Sequence, residues 1–244
     1  MGYNFNVNKA LKESGYNGQF KDSLKTVLQQ ITKDPNIHSA KEAAYLLATA
    51  EVESGYSLQR WESDYLCKDS QGKSMKGRSY KELPNNQPCQ RALDYYRSTN
   101  GKSNYYTKGT DKRGLPYFGR GLIQLTSEGN YKTYGDLIGE DLVNNADKAL
   151  EPKNSYKITS AYLNRKRGSA KKSVYDYVNE GDLATARARV KGSSSGWEGV
   201  KNKYNQWLYI LEKTHTKINK RTVLFIAGSL IIIGVVTLII LRKK

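Results

Sequence analysis

At 244 residues and 38% hydrophobic content, the chain is long enough for one domain of fair size plus an appendage, and too apolar for a disordered tail. Its 40 Lys and Arg against 23 Asp and Glu leave a formal charge of +17. That excludes an acidic surface and favours polyanions, whether nucleic acid, anionic lipid or acidic wall polymer, without choosing among them.

The opening stretch MGYNFNVNKALKESGYNGQF lacks a basic start followed by an apolar run, so no secretory signal is expected. Helical periodicity then predicts helices over 21–33, 39–54, 129–139, 152–168 and 196–213. Ser39 with Glu42 forms a capping box at the start of the second, and Gly55 supplies its stop. From Cys67 to Leu115 the chain is rich in Gly, Ser, Asn, Lys and Pro, with turn signals LPNNQP and TNGKSN. This reads as a long excursion with at most short helices, of the kind that covers or lines a site. In YFGRGLIQLT, 117–126, glycines precede a β-competent run, a turn feeding a short strand. The fold class expected is mainly α (α+β), with a small hairpin or sheet.

From Thr222 to Leu241 the chain runs 20 residues without a charge, which matches a bilayer core of about 30 Å. A C-terminal transmembrane helix is therefore expected, giving a single-pass membrane protein whose partner over 222–241 is the lipid bilayer. Basic residues flank both sides of the run, so its orientation is not chosen. The expected organisation is a domain over 1–213, a juxtamembrane linker over 214–221, the membrane helix over 222–241 and a basic tail over 242–244. Cys67 and Cys89, the only cysteines, form either a disulfide or two free thiols. With only His38 and His215 beside them they make no convincing zinc site, and no motif implies a metal or organic cofactor.

Four carboxylates, Glu51, Glu53, Glu62 and Asp64, crowd the stretch ATAEVESGYSLQRWESDY, 48–65. On the helix over 39–54, Ala43, Leu46, Leu47 and Ala50 form an apolar stripe with Glu51 and Glu53 on opposite flanks, so periodicity does not choose between them. Glu53 lies in the last turn, where the negative end of the helix dipole disfavours ionisation and suits a general acid. A continued helix would hold Glu62 about 13 Å away on the opposite face, but Gly55 lets the chain turn back. Two carboxyls across a groove are what glycoside hydrolysis requires, one protonating the leaving oxygen and the other activating water. A solvated surface carboxylate is the alternative for each.

VESGYSLQRWES and YFGRGLIQLTSEGNY resemble the two motifs of glycoside hydrolase family 19, the chitinases and phage endolysins with a lysozyme-like helical fold. The resemblance runs on through YGDLIGEDLVNNADKALEP and covers roughly residues 35 to 165. It implies Glu53 as the general acid, Glu62 as the water-activating base and Thr126 as the residue that helps hold the water. Gln124 and Asn130 match residues that bind the sugar at the cleavage point, while Tyr117 and Arg120 belong to the same motif and are expected at the cleft. Glu51 and Asp64 have no counterpart and are expected to be structural or solvated. Val52 replaces the family's His before the acid, and Lys191 stands where an Asn is expected.

The resemblance implies an inverting glycosidase that cuts β-1,4 glycan bonds, and the uncharged run 222–241 would anchor it to a membrane. Peptidoglycan is favoured over chitin because the charge suits acidic wall polymers. The anchor together with the endolysin likeness suggests a bacteriophage virion protein that opens the host wall. The alternatives are a chitinase, a lytic transglycosylase or a non-catalytic glycan-binding protein. The basic run Arg165, Lys166, Arg167, Lys171 and Lys172 has no nucleic-acid module around it, so no nucleic-acid partner is expected. No motif sets the oligomeric state.

Overall fold

The computed structural model describes residues 2–98 and 109–216. Its helices are α1 (Val7–Glu13), α2 (Lys21–Ile31), α3 (Ala40–Ser54), α4 (Gln90–Ser98), α5 (Glu128–Ile138), α6 (Pro152–Asn164), α7 (Val174–Glu180), α8 (Leu183–Lys191) and α9 (Trp197–Thr214). The centre is α3. Ser39 and Glu42 form the predicted capping box, which contributes about 1 kcal/mol. Gly55 ends the helix in the left-handed region, at φ 60°. The stripe expected on α3 is instead burial all round, from Glu42 to Ala50, because α9 packs along one side while α7 and α6 close others. Val200, Tyr204, Trp207 and Leu211 give α9 its buried face.

The described residues of the excursion after Cys67 form a small packed lobe rather than a loose loop. It contains 3-10 turns at Tyr80–Glu82 and Pro84–Asn86 as well as α4. Trp61, Met75, Tyr80, Leu83, Leu93, Tyr96, Leu115, Phe118 and Leu150 form a second apolar cluster under it. A disulfide joins Cys67 and Cys89 across the lobe.

The expected sheet is corrected. Among the described residues there are only isolated bridges, including Trp61↔Arg120 and Arg120↔Leu125. Positive φ at Gly121, Gln124 and Ser127 (77°, 54° and 76°) coils 117–127 into a turn, and an extended strand cannot hold those angles. The helix predicted over 152–168 ends at Asn164, where Arg165 turns extended, and α1, α7 and α8 were not predicted.

The expected membrane localisation is also corrected: among the described residues, no helix is long and apolar enough to cross a membrane. The run 222–241 lies outside the described residues, as do the tail 242–244 and most of the linker 214–221. At the start of that linker the chain meets its own beginning. Asn6 N–H donates to the Thr214 carbonyl (2.9 Å), Thr216 N–H donates to the Asn4 carbonyl (3.2 Å), and Phe5 bridges His215 antiparallel. Tyr3 stacks on His215 at 5.1 Å, and Lys213 pairs with Glu13 at 2.9 Å.

Candidate active site

Past Gly55 the chain turns back as the sequence requires. Ser57 Oγ donates to the Gly77 carbonyl (2.5 Å) and Trp61 Nε1 to the Arg78 carbonyl (2.8 Å), which lays 57–62 against the lobe. Residues 60–62 then run beside 119–121. Glu62 N–H donates to the Gly119 carbonyl (2.7 Å), Gly119 N–H donates back to Glu62 Oε2 (3.1 Å), and Gly121 N–H donates to the Arg60 carbonyl (2.7 Å). Tyr96, stacked on Phe118, donates its hydroxyl to the Glu62 carbonyl. The Glu62 main chain is thus tied through both its N–H and its carbonyl, and its carboxylate accepts the Gly119 N–H.

Gly119 gathers the rest of the motif. A Cβ there would lie 3.2 Å from Gln124 Oε1 and 3.3 Å from Thr126 Oγ1, so the bare α-carbon lets both side chains lie against Gly119, whose N–H holds Glu62. Gln124 Nε2 donates to the carbonyls of Gly121 (2.8 Å) and Arg60 (3.1 Å), Thr126 Oγ1 donates to the Gln124 carbonyl (2.8 Å), and Asn130 Nδ2 donates to the Thr126 carbonyl (2.8 Å). The structure therefore brings Glu62, Gln124, Thr126 and Asn130 into one hydrogen-bonded group.

Tyr117 and Arg120, expected at the cleft, are each 1% exposed. Tyr117 donates to the Val143 carbonyl at 2.8 Å. The Arg120 guanidinium lies 3.6 Å from the centre of the Phe118 ring and donates to Tyr80 Oη (3.1 Å), Tyr131 Oη (2.9 Å) and the Pro116 carbonyl (3.2 Å). Burial pushes the Tyr131 phenol up to about 12, so it stays protonated and donates onward to the Phe118 carbonyl at 2.8 Å. Arg120 also faces Asp147 at 3.7 Å, and Arg113 pairs with the same carboxylate. Burial pushes Asp147 up to about 7. Tyr117 and Arg120 are both pillars under the turn: each is buried, and every hydrogen bond it makes goes to the protein interior, although one Arg120 guanidinium nitrogen has no hydrogen-bond partner.

Glu53 stands at the C-terminal end of α3, paired with the buried guanidinium of Arg187 on α8. Sequence reasoning missed Arg187. Its signal was a cation at i+4 from Leu183 on the buried face of a short helix, a position that requires an acidic partner. Gly119 and Tyr96 were missed as well, since a backbone N–H and a tyrosine 34 residues from Glu62 leave no pattern along the chain. Glu51 is structural: it accepts from Tyr56 (2.5 Å) and pairs with Lys203 (2.5 Å), and Tyr56 accepts in turn from Trp207 Nε1 (2.8 Å). Asp64 is fully buried and accepts Gly77 N–H at 2.6 Å. Val52 is exposed beside Glu53, and Lys191 closes α8 with Nζ on Ser195 Oγ at 3.2 Å.

The class I chitinase profile matches residues 84–236, more than half of the chain. The chain belongs to glycoside hydrolase family 19. Among curated relatives, Chitinase 11 of Oryza sativa subsp. japonica is 34% identical over 91 residues, 37% of this chain and 35% of that protein. Endochitinase A2 of Pisum sativum is 36% identical over 93 residues, 38% of this chain and 28% of that protein. The chain thus spans about a third or less of the curated relatives it matches. Among solved structures, chitinase C from Streptomyces griseus superposes with a TM-score of 0.53 at 19% identity, over 89% of this chain and 97% of the other. A chitinase C mutant superposes at 0.56, also at 19% identity, over 88% and 97%. These likenesses establish the mainly helical, lysozyme-like fold. The virion role expected from the sequence draws no support from these relatives.

Proposed function

We propose that this chain hydrolyses β-1,4 bonds beside N-acetylglucosamine with inversion, using Glu53 as acid and Glu62 as base. The observation that carries the reading is the Glu62 carboxylate held by Gly119 N–H next to Thr126 and Gln124. Thr126 spends its proton on the Gln124 carbonyl, so its oxygen lone pairs accept from a water whose other proton points to Glu62. Glu62 takes that proton as the water oxygen bonds to the anomeric carbon. Glu53 protonates the departing glycosidic oxygen, and the bond between that oxygen and the anomeric carbon breaks. Inversion places the two carboxyls about 6.5–9.5 Å apart, with the water between.

Chitin-type glycan is the first substrate, because the relatives are named chitinases and endochitinases. Peptidoglycan is the second reading, favoured by the charge of +17, since chitin is neutral and peptidoglycan carries carboxylates. The test is mass spectrometry of products from N-acetylglucosamine hexamer and from purified peptidoglycan, with Glu53→Gln and Glu62→Gln beside the parent. Reducing-end fragments are expected, with each variant slower by about 10²–10⁴-fold. Anhydro ends that survive Glu62→Gln would establish a lytic transglycosylase instead. A folded parent that binds either polymer and releases nothing would be a binding protein.

A further inference from the structure

A cleft of about 310 Å³ opens between the end of α2, the end of α5 and the middle of α6. Residues 30–36 form one side of it, just before α3 begins at Ala40, while Glu53 is near the far end of that 15-residue helix, about 20 Å away. None of the residues assigned to the reaction lines it.

The lining is chemically specific. On its inner side Asp34 is held rigid, Oδ1 accepting Asn36 N–H and Oδ2 the Tyr156 hydroxyl, each at 2.9 Å. Next to it Ser160, only 3% exposed, has a hydroxyl with no hydrogen-bond partner. Such a group costs stability unless something else satisfies it. The walls are aliphatic, made by Pro35, Ile138 and a Leu137 that is 55% exposed. Lys33 and Lys157 are exposed at the rim, two cations against one buried acid that already holds two donors.

We propose that this cleft binds a short acidic peptide. An amide N–H would donate to Asp34, a peptide carbonyl would accept from Ser160, an aliphatic side chain would cover Leu137, and carboxylates would meet Lys33 and Lys157. The lining has no exposed aromatic ring for a sugar face to stack on, and its net charge selects an anion. The site needs nothing from the glycosidase reading.

The test is an amide NMR titration of the full chain with N-acetyl-alanyl-glutamate. Saturable shifts are expected over 30–36, 137–138 and 156–161. Lys33→Glu with Lys157→Glu, both on the surface, should weaken binding about tenfold or more. Ser160→Ala should also weaken it without lowering Tm, since the deleted hydroxyl has no partner to lose. The proposal is overturned by the absence of saturation up to about 10 mM peptide. Equal binding of the neutral diamide, tighter binding of N-acetylglucosamine trimer at the same residues, or indifference to the charge reversal would each overturn it too.

Discussion

Glu62 owes its position to backbone: one N–H from Gly119 and the reciprocal bond from its own amide. Gly119→Ala would place a methyl 3.2–3.3 Å from Gln124 and Thr126, pushing both by a few tenths of an ångström. Its kcat should fall about tenfold with little change in Tm, the signature of misplacement rather than unfolding. Arg187 makes the opposite case. Arg187→Met strips Glu53 of its buried counter-charge and should cost about 2–3 kcal/mol, read as the shift in denaturant midpoint. The grouping of Glu62 with Gln124, Thr126 and Asn130 was legible because each is written into a short run of sequence. Arg187 was not, since its meaning depends on α8 folding back onto α3 across 134 residues. Arg120 was legible as a motif member but not as a pillar, because burial is a property of the packed molecule.

At the scale of elements, the turn 117–127 and the lobe beside it do what the expected sheet was meant to do. Gly121 has φ of 77°, and a Cβ there would lie 2.8 Å from both the Ala149 carbonyl and Ser155 Oγ. Gly121→Ala should therefore cost about 2 kcal/mol or more and abolish activity, because Gln124 hangs from the Gly121 carbonyl. Thermal melts and turnover on one preparation check both. The Cys67–Cys89 disulfide closes a sequence separation of 22 residues, and replacing both cysteines by serine should cost about 3 kcal/mol in chain entropy. The long helices were readable from period and caps, as Ser39, Glu42 and Gly55 show. The turn was misread because β-competent residues say nothing of the φ that tertiary bonds impose on Gln124. The lobe was misread because its small core draws on residues from 61 to 150.

Across the whole molecule, carboxyls set the response to acid. Asp176 and Asp182 accept helix-start N–H groups at 2.7 and 3.0 Å, and these bonds hold both below their ordinary 3.8. Arg78 and then backbone N–H groups lower Asp69, Asn144 lowers Asp141, Lys148 lowers Glu140 and Lys213 lowers Glu13. A folded value below the unfolded one adds stability that is present above the unfolded value and lost as pH falls through the folded one. Burial drives Asp64 and Asp147 the other way, so their contributions are full at low pH and lost as pH rises. With six groups against two, Tm should fall below about pH 4, and the share contributed by Asp147 should drain away as pH rises toward about 7. The charge of +17 was legible at once, whereas the meeting of residues 3–6 with 214–216 was not, since nothing local marks it. In that rung the Asn4–Thr216 bond is outermost and the Asn6–Thr214 bond innermost. Tension on the two ends therefore opens the molecule as a zipper, one bond after another. Past that rung the pull is borne by α1 on one side and α9 on the other, which pack against each other.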